Sequence, residues 1–286
     1  MIKYAVIGDP VSHSRSPGMQ NAAFEKAGLG RPYGRFHVSA EAVKDFIGMA
    51  KEKLAGVNVT VPHKENVIPF LDEIDPVAAL CRSVNTLDIR SGRIKGYSTD
   101  GYGLEYAVRK NFHIAPAGKA FCFTGCGGAC RAAAIHLASA GAGEIFLANR
   151  TVAKAEHIAS VIAENYPECK VHALALEDKK SLESAISSSD VLVQATSLGL
   201  KEDDPAPFDL ELLQANRQIA VFDTIYKNTP LLRAAEKLCL SCAGGRDMLI
   251  FQGAASFRIW TGIEPDIDAM NTGFDITPVT LADAKE

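Results

Sequence analysis

Hydrophobic and polar positions in this chain follow two periods. Short apolar or alternating runs of strand length are separated by stretches in which apolar residues recur at helical spacing. In the first part of the chain the pattern predicts strands over 3–8 and 34–38 and helices over 20–27 and 42–53. Alternation resumes at Gly56-Val57-Asn58-Val59-Thr60-Val61 and stops at Pro62, which cannot donate to a ladder. Val57, Val59 and Val61 are expected on one face of that strand and Asn58 and Thr60 on the other. The polar face is either the wet side of an edge strand or a surface that orients a ligand. Residues 66–80 predict a helix broken at Pro69 and Pro76. Strands over 84–89 and 94–97 flank Arg90-Ser91-Gly92-Arg93, which reads as a hairpin. A helix over 102–110 follows, then a stretch opening at 119 in which a buried strand runs into a glycine-rich turn, strands over 144–148, 171–175, 191–195 and 219–222 with helices between, and a last helix running through Trp260. Strands separated by helices imply an α/β fold with mostly parallel sheets, the hairpin adding an antiparallel edge.

The length of 286 residues suggests two domains. Apolar residues at 47% and charged residues at 22% are an ordinary globular balance. A formal net charge of −4, without a Lys/Arg block, indicates neither nucleic acid nor a polybasic membrane anchor, so a small-molecule partner is expected. The start of the chain lacks signal-peptide features and no apolar run is long enough to span a bilayer, so the expected location is cytoplasmic. The seven cysteines are scattered without the two Cys-x-x-Cys pairs of a zinc ribbon, which suits reduced thiols. Cys126 and Cys130 lie four apart with no second ligand pair, so no metal site is expected.

Candidate chemistry collects where strands end. After the first strand, Ser14 and Ser16 are two apart and can converge on one anion, with Pro17 opening a helix; Ser16 can equally be that helix's N-cap. Lys64 leaves the Asn58–Thr60 strand. Asp100, in Thr99-Asp100-Gly101, is either a helix cap or a carboxylate at a domain seam. The run Thr124-Gly125-Cys126-Gly127-Gly128-Ala129 joins a buried strand to a helix, leaving bare N–H groups where a pyrophosphate can sit. The next strand ends at Asn149-Arg150-Thr151, with Lys154 one turn on. An NAD enzyme would place Asp or Glu there for the ribose 2′-hydroxyl, so a guanidinium favours a 2′-phosphate and hence NADP. Ala195-Thr196-Ser197 and Asp223-Thr224-Ile225-Tyr226 are further polar strand exits. Gln252, on the last helix, is a ligand contact or a surface residue.

Together these segments resemble the shikimate dehydrogenase family. The match runs through Ser14-Arg15-Ser16-Pro17, Asn58-Val59-Thr60-Val61-Pro62-His63-Lys64, Val84-Asn85-Thr86, Thr99-Asp100-Gly101, Gly125 to Ala129, Asn149-Arg150-Thr151, Ala195 to Gly199 and Gln252, in that order. The resemblance implies NADPH-dependent, reversible reduction of 3-dehydroshikimate to shikimate on the route to chorismate and the aromatic amino acids, with the quinate/shikimate branch as the alternative and, from another class, a non-catalytic NADP-binding sensor, which would not need Lys64 and Asp100. It implies a substrate-binding domain over 1–100 completed by 247–286, a Rossmann domain over 101–246 between, and a monomer or homodimer. It also implies site roles. Lys64 and Asp100 would be the catalytic pair; Ser14 and Ser16 would hold the substrate carboxylate, and Asn58, Thr60, Asn85, Tyr226 and Gln252 would line the rest of the substrate site. Gly125, Cys126, Gly127, Gly128, Ala129, Asn149, Arg150, Thr151, Lys154, Thr196 and Gly245 would bind NADP. Gln20, Ser98, Gln194 and Asp247 depart from the family's common residues, and the loop after Tyr226 is shorter than usual.

Overall fold

The computed structural model describes residues 3–201 and 203–276. The last ten residues of the expected C-terminal return, 277–286, lie outside the described residues, as do 1–2 and 202. The chain forms two compact units, one made of the residues up to Thr99 and from Ile250 onward, the other of Asp100–Leu249.

The first unit begins with β1 (Tyr4–Gly8), α1 (Ser16–Lys26), β2 (Tyr33–His37), α2 (Val43–Lys53), β3 (Gly56–Val59), β4 (Glu73–Ile74), α3 (Pro76–Cys81), β5 (Thr86–Arg90) and β6 (Arg93–Tyr97). Its sheet has the order β2-β1-β3-β5-β6-β4. β1 runs parallel to β2 and β3, β5 is antiparallel to both β3 and β6, and β4 pairs parallel to β6. The hairpin forms as expected, because Ser91 and Gly92 supply the φ values of 51° and 75° that a two-residue turn of this hand requires. Its outer strand is not the sheet edge, since β4 covers it. β3 is not an edge strand either: it lies between β1 and β5 and all four of its residues are buried. Val61 falls beyond the strand and is 69% exposed, so it does not share a face with Val57 and Val59. Residues 66–80 are not one interrupted helix. A short 3-10 turn over Ile68–Phe70 and β4 precede α3, whose start is cut cleanly by Asp75 accepting the Val77 and Ala78 N–H groups, with Pro76 in the first turn.

The second unit contains α4 (Asp100–Phe112), β7 (Ala120–Thr124), α5 (Gly128–Ser139), β8 (Glu144–Asn149), α6 (Val152–Asn165), β9 (Lys170–Ala175), α7 (Lys179–Ser187), β10 (Val191–Gln194), β11 (Ala220–Asp223), α8 (Pro230–Lys237) and β12 (Cys242–Gly244). Every strand pairing in it is parallel, in the order β12-β11-β10-β7-β8-β9. Phe121, Phe123, Ile145, Leu147, Val191 and Val193 are fully buried, as strands covered by helices on both faces require. The chain winds outward from β7 through β8 to β9, then returns to β10 on β7's other side. Between β7 and β10 lies the topological switch point, where α/β sheets of this kind bind ligands at strand carboxyl ends.

The division between the units falls inside α9 (Arg246–Thr261), which α10 (Ile267–Asp275) follows. In the first unit, Trp260 of α9 lies on β3: its indole N–H donates to Leu87 O at 2.9 Å, and a side chain on Gly56 would begin 2.3 Å from the ring nitrogen. Phe24 of α1 packs against Tyr4 and Phe257 with ring centroids 4.7 and 4.8 Å apart. α1 and α10 touch backbone to backbone where a Cβ on Gly18 would lie 2.3 Å from Gly273 O. The opposite face of the sheet is filled by Val43, Phe46, Ile47 and Ala50 of α2.

Candidate active site

Burying Asn58 in a central strand obliges the sheet to satisfy its amide. Tyr33 of β2 donates its hydroxyl to Asn58 Oδ1 at 2.7 Å, and burial pushes that phenol well above its ordinary pKa, keeping it a neutral donor. Asn58 Nδ2 faces Asn85 O at 3.2 Å, Thr86 Oγ1 at 3.2 Å and Ser256 Oγ at 3.0 Å. Asn85 Nδ2 donates to Thr99 Oγ1 at 2.9 Å and to Gln252 Oε1 at 3.3 Å, while its Oδ1 accepts the Thr99 N–H at 2.8 Å. Ser256, one turn after Gln252 on α9, lies 2.7 Å from Thr86 Oγ1 and donates to Gln252 O at 3.1 Å. The structure therefore brings Asn58, Asn85 and Gln252 into one buried network. Tyr33, Thr86, Thr99 and Ser256 belong to it and were not singled out from sequence. The i, i+4 spacing of Gln252 and Ser256 was the one available signal.

Around this network the strand exits are pinned. Ser16 is the first residue of α1, not its cap: Arg15 occupies the cap position and no side chain caps the helix. Ser14 Oγ accepts the Ser16 N–H at 3.3 Å, which draws the two serines together. Thr60 follows β3 directly, its N–H bonded to Ile7 O at 2.9 Å, and a Cβ on Gly8 would lie 2.5 Å from its methyl. Lys64 sits in a turn held from both sides. His63, fully buried, places Nε2 2.6 Å from Val38 O, and the Lys64 carbonyl accepts the Val84 N–H at 2.9 Å, next to Asn85. Gln20 is buried with its amide nitrogen donating to Gly253 O at 2.9 Å.

The second unit holds the other candidates. Asp100 is buried and is itself the first residue of α4. After β7, Gly125 takes φ 94°, and a Cβ there would meet Thr196 Cγ2 at 2.4 Å, so only glycine fits. The Cys126 N–H donates to Asn149 Oδ1 at 3.0 Å and Asn149 Nδ2 to Thr151 O at 2.9 Å, so Asn149 ties the glycine turn to the loop after β8. α5 starts without a side-chain cap, and a Cβ on Gly127 or Gly128 would meet nothing within 4 Å. Ala129 is half-buried beside them; Arg150, Thr151 and Lys154 are exposed. Bare N–H groups at a helix start, open space where side chains are missing, and an exposed guanidinium after β8 together fit a dinucleotide with a 2′-phosphate. Burial pushes the Cys122 thiol up to about 12 and the Cys130 thiol well above its ordinary value, so neither is a nucleophile for the site.

The exits of β10 and β11 are ordered from within. Gln194 accepts the Thr196 N–H and donates to Leu198 O at 2.9 Å; Thr196 Oγ1 accepts the Leu198 N–H at 3.1 Å. Asp223, whose carboxyl burial raises, accepts from Thr229 Oγ1 at 2.7 Å and the Ile225 N–H at 3.0 Å, which leaves Tyr226 exposed on the loop between. Gly245 approaches that loop so closely that a Cβ would lie 2.0 Å from Thr224 O. Asp247 joins the start of α9 to the end of α4 through Lys110 Nζ and Asn111 Nδ2, both at 2.8 Å.

A doubly wound parallel sheet with an open glycine turn, alongside a unit built around buried amides, defines an α/β protein of the dinucleotide-binding class. Residues 6–87 match the shikimate dehydrogenase substrate binding domain, 107–200 the shikimate / quinate 5-dehydrogenase domain and 245–272 the shikimate 5'-dehydrogenase C-terminal domain. The chain is 39% identical to the shikimate dehydrogenase (NADP(+)) of Methanopyrus kandleri over 93% of its own length and 92% of that protein. It superposes on the shikimate 5-dehydrogenase of Listeria monocytogenes in complex with shikimate and NAD with a TM-score of 0.88, at 32% identity over 95% and 96% of the two chains. For the Thermus thermophilus enzyme in complex with NADP(H) and shikimate the TM-score is 0.83, at 33% identity over 96% and 98%. The chain belongs to the shikimate dehydrogenase family.

Proposed function

We propose that this chain catalyses the reversible, NADP-dependent interconversion of 3-dehydroshikimate and shikimate, acting in the cytoplasm as a monomer or homodimer. The observation that carries this reading is the pinned Lys64 turn, bonded through Val84 to the buried amide network of Asn58, Asn85 and Gln252. NADPH, when bound, supplies the hydride. Gly125 to Ala129 would hold its pyrophosphate; Asn149, Arg150, Thr151 and Lys154 the adenosine side; Thr196 and Gly245 the remainder.

Ser14 and Ser16, drawn together at the start of α1, donate their hydroxyls to the substrate carboxylate. Asn58, Thr60, Asn85, Tyr226 and Gln252 fix the ring. Lys64 delivers the proton to the carbonyl oxygen as hydride arrives, and takes it back in the reverse direction. Asp100 is the second member of the proposed catalytic pair. Reduction of NADP⁺ and NAD⁺, measured separately with shikimate and with quinate, tests the assignment. NADP⁺ with shikimate is expected to give the highest kcat/KM. Faster turnover of quinate moves the chain to the quinate/shikimate branch, and no turnover of either substrate refutes the reading.

A further inference from the structure

Two helices of the second unit begin at groups with assigned roles: α4 at Asp100, and α5 at the glycine turn. They cross in direct contact. A Cβ on Gly101 would lie 2.3 Å from His136 Cβ and 2.8 Å from Ala132 O, so the first turn of α4 rests on the backbone of α5. One turn further along α4 comes Glu105, a carboxylate with only 9% of its side chain exposed. Its Oε2 lies 2.7 Å from His136 Nε2 on α5, and its Oε1 takes Arg109 Nε at 2.9 Å and Nη2 at 2.7 Å. The hydrogen bonds from His136 and Arg109 hold its carboxyl below the ordinary range against the opposing effect of burial. Nothing in the proposed chemistry uses this trio.

We propose that Glu105 is a positioning residue: through His136 it sets the place of α4 along α5, and with it the place of Asp100 relative to the dinucleotide turn. The proposal rests on the catalytic reading of Asp100. Gly101 allows the two helices to touch but does not choose where along α5 they do so, since a bare backbone slides more easily than a locked side chain. The Glu105 to His136 bond makes that choice. A helix is stiff over the roughly one and a half turns from Asp100 to Glu105, so a shift at one is carried to the other.

The test compares Glu105→Leu, His136→Leu, Glu105→Gln and Asp100→Asn with the parent. Each is assayed for kcat and KM with shikimate, for NADPH dissociation by its fluorescence, and for amide hydrogen exchange over the first turn of α4. The leucine variants are expected to lower kcat about tenfold or more, since a misplacement of 1 Å can cost ~10²-fold. NADPH dissociation should change less than about threefold, because α5's own N–H groups remain in place. Exchange at 100–104 should rise, and the double leucine variant should be no slower than either single one. Glu105→Gln should recover most of kcat, because its oxygen can accept from Arg109 while its amide keeps the other end of the side chain beside the His136 ring nitrogen. If Asp100→Asn is inactive while both leucine variants keep full kcat, the proposal is overturned and the catalytic reading stands. If Asp100→Asn keeps full turnover, both fall together. Equal loss of kcat in Glu105→Gln and Glu105→Leu would leave only a charge effect and also overturn it. Should the leucine variants not fold, Glu105→Asp, one methylene shorter, is expected to show the same loss of kcat; unchanged kcat in it refutes positioning.

Discussion

The two units prepare for their ligands by opposite means. In the first, the candidate substrate residues are buried and bonded to one another, so Asn58, Asn85 and Gln252 are held by the same contacts that hold the fold. In the second, the candidate cofactor surface is made of what is missing: no side chain at Gly127 or Gly128, no cap on α5, and charges at Arg150 and Lys154 that point to solvent. Stability and recognition are therefore joined in the first unit and separable in the second.

Substitutions can break or sharpen that contrast. Lys64→Ala should show the largest effect, a fall in kcat of ~10²–10⁴-fold, the scale of a lost general acid, with NADPH binding little changed; near-normal kcat with an altered Michaelis constant would demote Lys64 to a binding residue. Asn58→Leu keeps the volume but strips Tyr33, Thr86 and Ser256 of a partner. Thr86 and Ser256 still bond each other at 2.7 Å, so the cost of about one stranded buried group, roughly 1–3 kcal/mol in urea unfolding, is expected, along with a loss of activity. A change under about 0.5 kcal/mol, the size of an ordinary surface substitution, would show that the network is not part of the fold's stability. Arg150→Ala reverses the pattern. Its charge-assisted bonds to a 2′-phosphate are worth about 1.5–3 kcal/mol, so NADPH should bind about ten- to a hundredfold more weakly while NADH and unfolding barely respond. Equal loss for both cofactors would mean that this loop does not read the 2′-phosphate. The smallest effect is the most diagnostic: Gly128→Ala, in a helix with open space beside it, should raise stability by ~0.4–1 kcal/mol while weakening NADPH. A variant that is both less stable and weaker would end the claim of separability.

Much of this arrangement is legible in the amino-acid order, for identifiable reasons. Strand exits carry polar residues and glycines, and those local signals mark Ser14, Lys64, Gly125 and Arg150 directly. What sequence hides is pairing. The alternation at 56–60 marks a strand but cannot say that it is central, because that depends on β1 and β5 pairing on its two sides. Thr86 and Ser256 look like ordinary small polar residues until Asn58, up to 198 positions away, needs them. β4 has only two residues, too few for any alternation to show, and β12 reads Cys-Ala-Gly, without a β-branched residue. Of the departures from the family pattern, Gln194 and Asp247 prove to be loop and helix ties, which a residue-type comparison does not show.

The cysteines give the molecule a built-in reporter. All seven are free thiols; Cys81 lies in the first unit and the other six in the second. Only Cys239 is exposed, so a thiol reagent should mark the native protein there first. The buried thiols can react only as their surroundings open. The order in which Cys81 and the Cys122, Cys126 and Cys130 group become alkylated during unfolding therefore reads, without any added label, whether the two units come apart in one cooperative step or in two.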